Sequence, residues 1–288
     1  MQPCKSLNVF FDSEFLVDVE VQLQRVVDAG FTHLDMNFWD WSHDSRSPFK
    51  QNGWEAWVER IGAAAMRAGA VFTQAHAHVY NFYHFPAGNE HEEQIRRSIV
   101  GAGMLGIPWI VLHPSQRPDW EEPDSLGKMM ADNVEYFRRE AELAAQCGTG
   151  LALENAGRPA SGLTTAELLC ELIDRVGMPN VGACWDTGHA NLMKQDQPAS
   201  IRVLGPRLHA LHISDNGGEK DDHTMPFVGQ IDWFPITDAL RGIRYDGDFT
   251  FEAHNFVRRM PESCKADALK LMFRVGTVLA GNMAKQTL

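Results

Sequence analysis

Four side chains of types that bind metal ions each stand at the C-terminal end of a short apolar run. Glu154 ends the run LALE, Asp186 ends GACWD, His212 ends LHALH and Glu252 ends FTFE. Parallel barrels gather catalytic groups at the carboxyl ends of their strands, so four such residues from separate strands can converge on one ion. The pattern predicts a metal-dependent enzyme in which these four residues bind a divalent cation.

Each of the four also has an ordinary structural explanation. A carboxylate such as Glu154 at a strand end could cap the next helix or pair with Arg158. Asp186 is harder to explain in this way, because His189 follows three residues later across Gly188 and both side chains could face one cavity. Four such groups in corresponding positions on successive strands favour a shared site over coincidence.

A second set of ionisable residues accompanies these four. Because side chains alternate along a strand, His76 and His78 should point the same way, and at least one could hydrogen-bond a substrate. His209 has the opposite parity to His212 and is expected to pack outside the barrel interior. The residues that could add further metal positions are His78, His113, His189, Asp221 and His223.

Strand-like runs alternate with helical periodicity along the chain. Strands are predicted at residues 7–11, 33–38, 71–78, 109–114, 150–156, 181–189, 208–215 and 248–254. Helices are predicted at residues 15–29, 54–68, 90–105, 126–147, 165–176, 199–204, 233–241 and 261–279. This alternation predicts an α/β fold, a single-domain (β/α)8 TIM barrel over residues 1–288, for which about 250 residues is typical. A doubly wound open sheet has less support, because no GxGxxG follows the first strand and no GxxxxGK[ST] occurs.

Composition and charge narrow the class of protein. The formal charge of −12 argues against binding a phosphate backbone, although a local basic patch could override the total. Five cysteines without CxxC spacing indicate neither a disulfide framework nor a thiolate zinc site, which suits a reducing cytoplasm. No apolar run approaches the roughly 20 residues of a membrane-spanning helix, so no membrane partner is expected.

The motifs around the four ligands resemble those of a known superfamily. The segments ALENAG, CWDTGHANL, HISD, DDHTMPFVGQIDW and FTFEAH resemble the xylose isomerase-like superfamily of (β/α)8 barrels. It contains sugar isomerases and epimerases, inosose dehydratases and endonuclease IV-type abasic-site endonucleases. The resemblance covers nearly the whole chain and implies that Glu154, Asp186, His212 and Glu252 bind one divalent metal. It also implies that the two glutamates exchange a substrate proton and that His189 contacts the sugar.

The sequence departs from parts of this pattern. Ketose 3-epimerases of the superfamily carry an arginine and a second glutamate where this chain has Gly218 and Ala160. Each zinc ligand of the trizinc endonucleases is matched by a residue of a metal-binding type in this chain. The matching residues are His78, His113, Glu154, Asp186, His189, His212, Asp221, His223 and Glu252. However, the loop MPFVGQIDW after His223 resembles the isomerase-like relatives. The ligand set alone discriminates poorly between these activities.

The leading prediction is a metal-dependent carbohydrate isomerase or epimerase that transfers a proton next to a carbonyl, with Glu154 and Glu252 as the catalytic carboxylates. An inosose-type dehydratase is the alternative, followed by an abasic-site endonuclease and a non-catalytic sugar-binding barrel. The expected cofactor is Mn²⁺, Mg²⁺, Co²⁺ or Zn²⁺, and the expected partner is a small-molecule sugar or polyol-ketone. Substrate contacts are predicted from His189, His76, His113, Trp39 and Arg158. Aromatic residues in the loops after the second and third strands would suit a sugar face or an interface in a homo-oligomer.

Overall fold

Parallel strands that close into a barrel form the centre of the fold. The computed structural model describes residues 2–7, 19–43, 45–119, 122–157 and 162–284. Its strands are β1 (Pro3–Ser6), β2 (His33–Asn37), β3 (Val71–His76), β4 (Trp109–Leu112), β5 (Gly150–Glu154), β6 (Val181–Asp186), β7 (Leu208–His212) and β8 (Phe249–Phe251). Consecutive strands pair in parallel, and β1 also pairs with β8. Ile213, directly after β7, bridges to Phe251, so the ring closes and the predicted (β/α)8 barrel is confirmed.

Helices surround the barrel. They are α1 (Val19–Asp28), α2 (Phe38–Trp41), α3 (Trp54–Ala68), α4 (Glu90–Met104), α5 (Ser125–Cys147), α6 (Ala166–Val176), α7 (Thr187–Leu192), α8 (Gln197–Leu204), α9 (Trp233–Gly242), α10 (His254–Arg258) and α11 (Glu262–Ala284). Gly69 and Gly148 end α3 and α5 in the left-handed conformation, as glycines after a helix commonly do. None of the helices in the described part of the chain is long and apolar enough to cross a membrane.

The first strand lies earlier in the chain than predicted. The expected strand at residues 7–11 is wrong at Leu7, which follows β1, and residues 8–11 lie outside the described residues, as do the first four residues of the helix predicted at 15–29. The strand was predicted at the apolar run of residues 7–11 because Lys5 is charged, and charged residues are rarely buried. In the structure Lys5 is nevertheless completely buried in β1. Burial is tolerated because Nζ of Lys5 donates to the carbonyl of Ser6 at 2.6 Å.

The sixth strand is shorter than predicted. β6 ends at Asp186, and the last three residues of the run predicted at 181–189 form the first turn of α7. The physical reason is the cap: Oδ1 of Asp186 accepts a hydrogen bond from the backbone N–H of His189 at 2.6 Å. His189 therefore leaves the strand direction and turns over the mouth of the barrel.

The inner face of the barrel holds small side chains beneath the strand ends. Val111, Ala152, Cys184 and Ala210 form a buried cluster separate from the main core between sheet and helices. Each of the last three lies two residues before a predicted metal ligand, so alternation places the ligands directly above them on the same face. His209 was predicted to pack outside the barrel interior. Instead, the register between β6 and β7 shifts at this residue, and its ring stacks on that of Trp109 with 3.9 Å between the ring centroids. Trp109 in turn packs against this inner cluster.

Candidate metal centre

The four predicted ligands meet at the carboxyl end of the barrel. Glu154, Asp186 and His212 are the last residues of β5, β6 and β7, and Glu252 follows β8. The register pairs Asp186 with His212 across neighbouring strands. One ligand atom from each of the four lies within 4.8 Å of the others, and all four side chains are buried. The structure thus brings together the residues that the sequence pattern predicts as one group.

His212 occupies the centre of this group. Its Nδ1 lies 3.1 Å from Oε1 of Glu154 and 3.5 Å from Oε2 of Glu252. Among the described residues, Nδ1 of His212, both carboxylate oxygens of Glu154 and Oδ2 of Asp186 have no partner in hydrogen-bonding geometry. Buried polar atoms are rarely left in this state, so their convergence fits a bound cation.

Hydrogen bonds to Asp186 leave one of its oxygens free to bind a cation. Oδ1 caps α7, whereas Oδ2 remains without a partner. Asn155 holds the backbone of Asp186 from both sides: its Oδ1 accepts from the Asp186 N–H at 2.7 Å, and its Nδ2 donates to the Asp186 carbonyl at 3.1 Å. Such outer contacts fix the orientation of a ligand. Asn155 is not among the residues predicted for the site, and its only signal in the sequence is its position directly after Glu154.

The electrostatics of the group favour a positive charge at its centre. Burial by itself would raise the pKa of Glu154, but His212 and His113 hold that pKa well below its ordinary value. Burial by itself would lower the pKa of His212, but Cys184, Glu252 and Glu154 raise it well above its ordinary value. A proton or a metal cation can supply the required charge, and a metal would displace the proton from His212.

The donor types fit a divalent ion. Three carboxylates and one imidazole form an oxygen-rich set of the kind that Mn²⁺, Mg²⁺ and Co²⁺ accept. Burying three carboxylates beside a single imidazole is costly without a compensating cation. Cys184, opposite Glu154 in the register, could add a sulfur donor from below, since it groups with Glu154 and His212. Cys184 is not among the residues predicted for the site, although it lies two residues before Asp186 on the same face of the strand.

A second group shares Glu154. Nε2 of His113 lies 2.8 Å from Oε2 of Glu154, and Nε2 of His76 lies 3.8 Å from the same oxygen. Nδ1 of His76 is 2.7 Å from the carbonyl of Ala77 and donates to it, which leaves the Nε2 lone pair facing Glu154. Burial, with His113 and His212 nearby, lowers the pKa of His76 to about 3, so the ring is neutral and able to bind a metal.

A third group lies beside the mouth. Oδ2 of Asp221 is 3.0 Å from Nε2 of His223 and 3.5 Å from Nε2 of His189. Burial opposes the charged form of His223, but the bond to Asp221 raises its pKa to about 9. His223 also has a positive φ of 42°, a strained conformation that Nδ1 supports through its 2.9 Å contact with the carbonyl of Glu252. These three predicted residues therefore lie close to the main group.

His78 is placed differently from the prediction that it could bind a metal. Its Nε2 lies 2.8 Å from Nδ1 of His91, and its Nδ1 lies 2.6 Å from Oγ of Ser42. Both ring nitrogens are therefore occupied in the described structure, and His76 takes the place beside Glu154 instead. The prediction that His76 and His78 point the same way is wrong, because β3 ends at His76 and the alternation of a strand does not extend to His78.

An open cavity of about 730 Å³ lies above these groups. Its lining includes most of the predicted site residues, namely Trp39, His76, His113, Glu154, His189, Asp221, His223 and Glu252. Arg158, predicted to contact substrate, lies outside the described residues. The predicted substrate contacts that can be placed thus all reach one cavity, whose floor carries the carboxylates.

The sequence and the fold agree on a family. Residues 23–272 match the xylose isomerase-like TIM barrel family, and the chain belongs to it. An uncharacterized protein of Sinorhizobium fredii is 28% identical over 80% of this chain and 79% of its own length. A D-psicose 3-epimerase of Ruminiclostridium cellulolyticum is 30% identical over 50% of this chain, and an inosose isomerase of Bacillus velezensis is 24% identical over 49%.

Solved structures share the whole fold. A D-psicose 3-epimerase crystallised in the presence of D-fructose superposes with a TM-score of 0.76 over 98% of this chain and 100% of its own, at 18% identity. The 3-keto-D-glucoside 4-epimerase of E. coli gives 0.73 over 94% of this chain and 98% of its own, also at 18% identity. The sequence matches to the named relatives are shorter than these superpositions. They span 43% of the length of the R. cellulolyticum epimerase and 52% of the length of the B. velezensis inosose isomerase. The proteins that this chain resembles thus include sugar epimerases and an inosose isomerase.

Proposed function

We propose that this protein is a divalent-metal-dependent carbohydrate isomerase or epimerase that moves a proton on the carbon next to a carbonyl. The observation that carries this proposal is the convergence of Glu154 and Glu252 on His212 at the floor of the cavity, with Asp186 beside them. The named relatives, which include psicose 3-epimerases and inosose isomerases, support the reaction class.

Glu154, Asp186, His212 and Glu252 would hold the cation. A divalent ion bound there would polarise the carbonyl and neighbouring hydroxyl oxygens of a sugar and so stabilise the enediolate. The oxygen-rich donor set favours Mn²⁺, Mg²⁺ or Co²⁺, and recruitment of His76 and His113 would favour Zn²⁺.

The two glutamates are suited to opposite halves of the proton transfer. The pKa of Glu154 is held well below its ordinary value, so its carboxylate is ionised and can accept a proton from carbon. Burial raises the pKa of Glu252, although His212 and His223 oppose the shift, so this side chain holds a proton more readily. Two carboxyl groups with pKa values pushed apart are a recurring acid–base arrangement, worth about 10²–10⁴-fold in rate. In the reverse direction the roles exchange.

The remaining lining residues would bind and orient the sugar. Imidazoles of His113 and His189 can hydrogen-bond hydroxyl groups, and the partly exposed ring of Trp39 offers an apolar face to the C–H side of a sugar. His76 is a further candidate if it does not bind a metal.

Dehydration of an inosose is the second candidate. It begins with the same proton removal and then requires an acid to protonate a departing β-hydroxyl. Glu252 lines the same cavity as Glu154 and is the carboxyl group placed to supply that proton. The endonuclease alternative has support from the three neighbouring ligand groups, but the formal charge of −12 opposes a DNA partner.

One experiment separates these candidates. Purified protein is analysed for bound metals, stripped with a chelator, reloaded with Mn²⁺, Mg²⁺, Co²⁺ or Zn²⁺, and assayed on ketoses, inososes and an abasic-site oligonucleotide. We expect chelator-sensitive conversion of a sugar. Dehydration of an inosose alone would select the lyase, and incision of the oligonucleotide at catalytic protein concentration would reject the sugar-enzyme proposal.

A further inference from the structure

A long loop follows β7 and carries two of the residues that line the cavity. It extends over the described residues 213–232, between β7 and α9, without a helix or strand of its own, and it contains Asp221 and His223. Loops longer than about 12–15 residues without secondary structure are uncommon in compact domains and are usually functional or disordered. In this protein a buried carboxylate near the start of the loop, that of Asp215, fixes its path.

The carboxylate of Asp215 accepts hydrogen bonds from both ends of the loop. Oδ1 accepts from the backbone N–H of Asn216 at 2.9 Å and from that of Ile231 at 3.2 Å. Oδ2 accepts from the backbone N–H of Phe227 at 3.1 Å and from Nε1 of Trp233 at 3.0 Å. Hydrogen bonds to an ionised acceptor are roughly twice as strong as neutral ones, so this carboxylate closes the loop tightly.

The closed loop holds two residues in the left-handed backbone region. The angle φ is 42° at His223 and 71° at Phe227. Such conformations persist only where the surroundings impose them, and they concentrate at functional sites. Asp215 imposes both, because it bonds the N–H of Phe227 and because its own backbone pairs in both directions with Thr224, at 2.9 and 3.1 Å, directly beside His223.

His223 connects this loop to Glu252. Its Nδ1 lies 2.9 Å from the carbonyl oxygen of Glu252 and donates to it. The backbone N–H of Asn255 donates to the carbonyl of His223 at 3.2 Å, and Nδ2 of Asn255 donates to the carbonyl of Asp222 at 3.0 Å. The loop and the chain after β8 are thus fixed against each other. A shift of His223 would move the backbone that carries the Glu252 side chain.

From these contacts we propose that Asp215 is a positioning residue for the proton transfer. Its carboxylate fixes the loop, the loop fixes His223, and His223 fixes Glu252 at the floor of the cavity. Asp215 is completely buried and lies outside the described lining of the cavity, so it acts only through these contacts. This inference rests on the proposed function, in which Glu252 binds the cation and exchanges a proton with the sugar.

The test uses Co²⁺ alone as a probe of the position of Glu252. Co²⁺ accepts an oxygen-rich donor set with one imidazole, and its visible absorption depends on the number and geometry of its ligands. Asp215→Asn replaces one acceptor oxygen with an NH₂ group that faces N–H donors. We expect this variant to bind Co²⁺ with an altered spectrum and with an affinity lowered by about tenfold.

A second variant removes one donor in place of the acceptor. Trp233→Phe keeps a buried aromatic ring but deletes the Nε1–H that bonds Asp215. We expect its Co²⁺ spectrum to change in the same direction as that of Asp215→Asn, by a smaller amount. This milder change keeps the test decisive if Asp215→Asn does not fold.

Asp248→Asn is the matched control for a loss of stability alone. Asp248 accepts from Oγ1 of Thr73 at 2.7 Å and from the N–H of Gln2 at 3.1 Å, at the opposite end of the barrel. This variant should unfold at lower denaturant concentration yet keep the wild-type Co²⁺ spectrum and affinity. Wild-type spectra in Asp215→Asn and Trp233→Phe, or an equal spectral change in Asp248→Asn, would overturn the inference and leave the proposed function standing. Failure of the wild-type protein to bind Co²⁺ would count against both.

Discussion

Nδ1 of His212 lies 3.1 Å from Oε1 of Glu154, and neither atom has a partner in hydrogen-bonding geometry among the described residues. The two residues end β7 and β5, and both side chains are almost completely buried. A cation between them would satisfy both atoms at once, and this relationship underlies the predictions below.

Loss of a single ligand should empty the metal centre without unfolding the barrel. We expect Asp186→Asn or His212→Ala to reduce metal content strongly, because each removes a buried donor while the surrounding helices stay packed. His209→Ala is the matched control, since this histidine of the same strand stacks on Trp109 at the other end of β7. Elemental analysis after dialysis, with circular dichroism to verify folding, provides the measurement. Unchanged metal content in both ligand variants would refute the assignment.

His76 and His78 should differ in their effect on metal binding. His76→Ala should reduce the uptake of a second equivalent of Zn²⁺, because its free Nε2 faces Glu154. His78→Ala should leave metal uptake unchanged but lower the free energy of unfolding by about 1–3 kcal/mol, because Ser42 and His91 lose a buried partner. Metal titration and denaturant unfolding test the pair. The reverse pattern would restore His78 as a ligand.

The metal-free protein should lose stability at alkaline pH. Asp221 raises the pKa of His223 to about 9, so the bond between them stabilises the fold fully below the ordinary histidine pKa of about 6.5 and is lost as pH rises through about 9. We expect a loss of about 2 kcal/mol after allowance for the partial exposure of Asp221. Denaturant unfolding between pH 6 and pH 10 should show this decline in the wild type and a smaller one in Asp221→Asn. Parallel curves for the two proteins would be contrary to this account.

Nucleic acid should bind weakly. With a formal charge of −12, few phosphates can be neutralised, so affinity for an abasic duplex should be no better than about micromolar at physiological salt. Fluorescence anisotropy with a labelled duplex measures the affinity, and an intact duplex of the same sequence serves as the control. Chelator-sensitive incision at catalytic protein concentration would instead favour the endonuclease.

The fold and the main ligand group could be predicted because both follow from local patterns. A strand end is visible as the end of an apolar run, and parallel strands of a barrel end on one face, so Glu154, Asp186, His212 and Glu252 had to approach one another. These features need no knowledge of long-range contacts.

Other features depend on contacts between distant parts of the chain. β1 was misplaced because Lys5 is charged, and only the closed barrel brings the carbonyl of Phe251 within 3.5 Å of its buried amine, in addition to the carbonyl of Ser6. The strand prediction ran past Asp186 for a local reason, because it did not take Asp186 as the cap that accepts from the N–H of His189 and starts a helix. His78 was grouped with the metal ligands because it matches a ligand of the trizinc endonucleases, whereas its partner His91 lies on the next helix, outside any strand pattern.

Proton exchange by the two glutamates tests the central claim most directly. Metal-loaded wild-type protein is incubated in heavy water with each epimer of its sugar, and deuterium next to the carbonyl is followed by NMR. We expect label from both epimers. Glu252→Gln keeps the shape and one oxygen donor but cannot act as a base, so it should label from one epimer only and stop net interconversion, and Glu154→Gln should label from the other. Conversion of the sugar by the wild type without any solvent label would contradict the two-glutamate mechanism, because proton exchange with these carboxylates must admit deuterium.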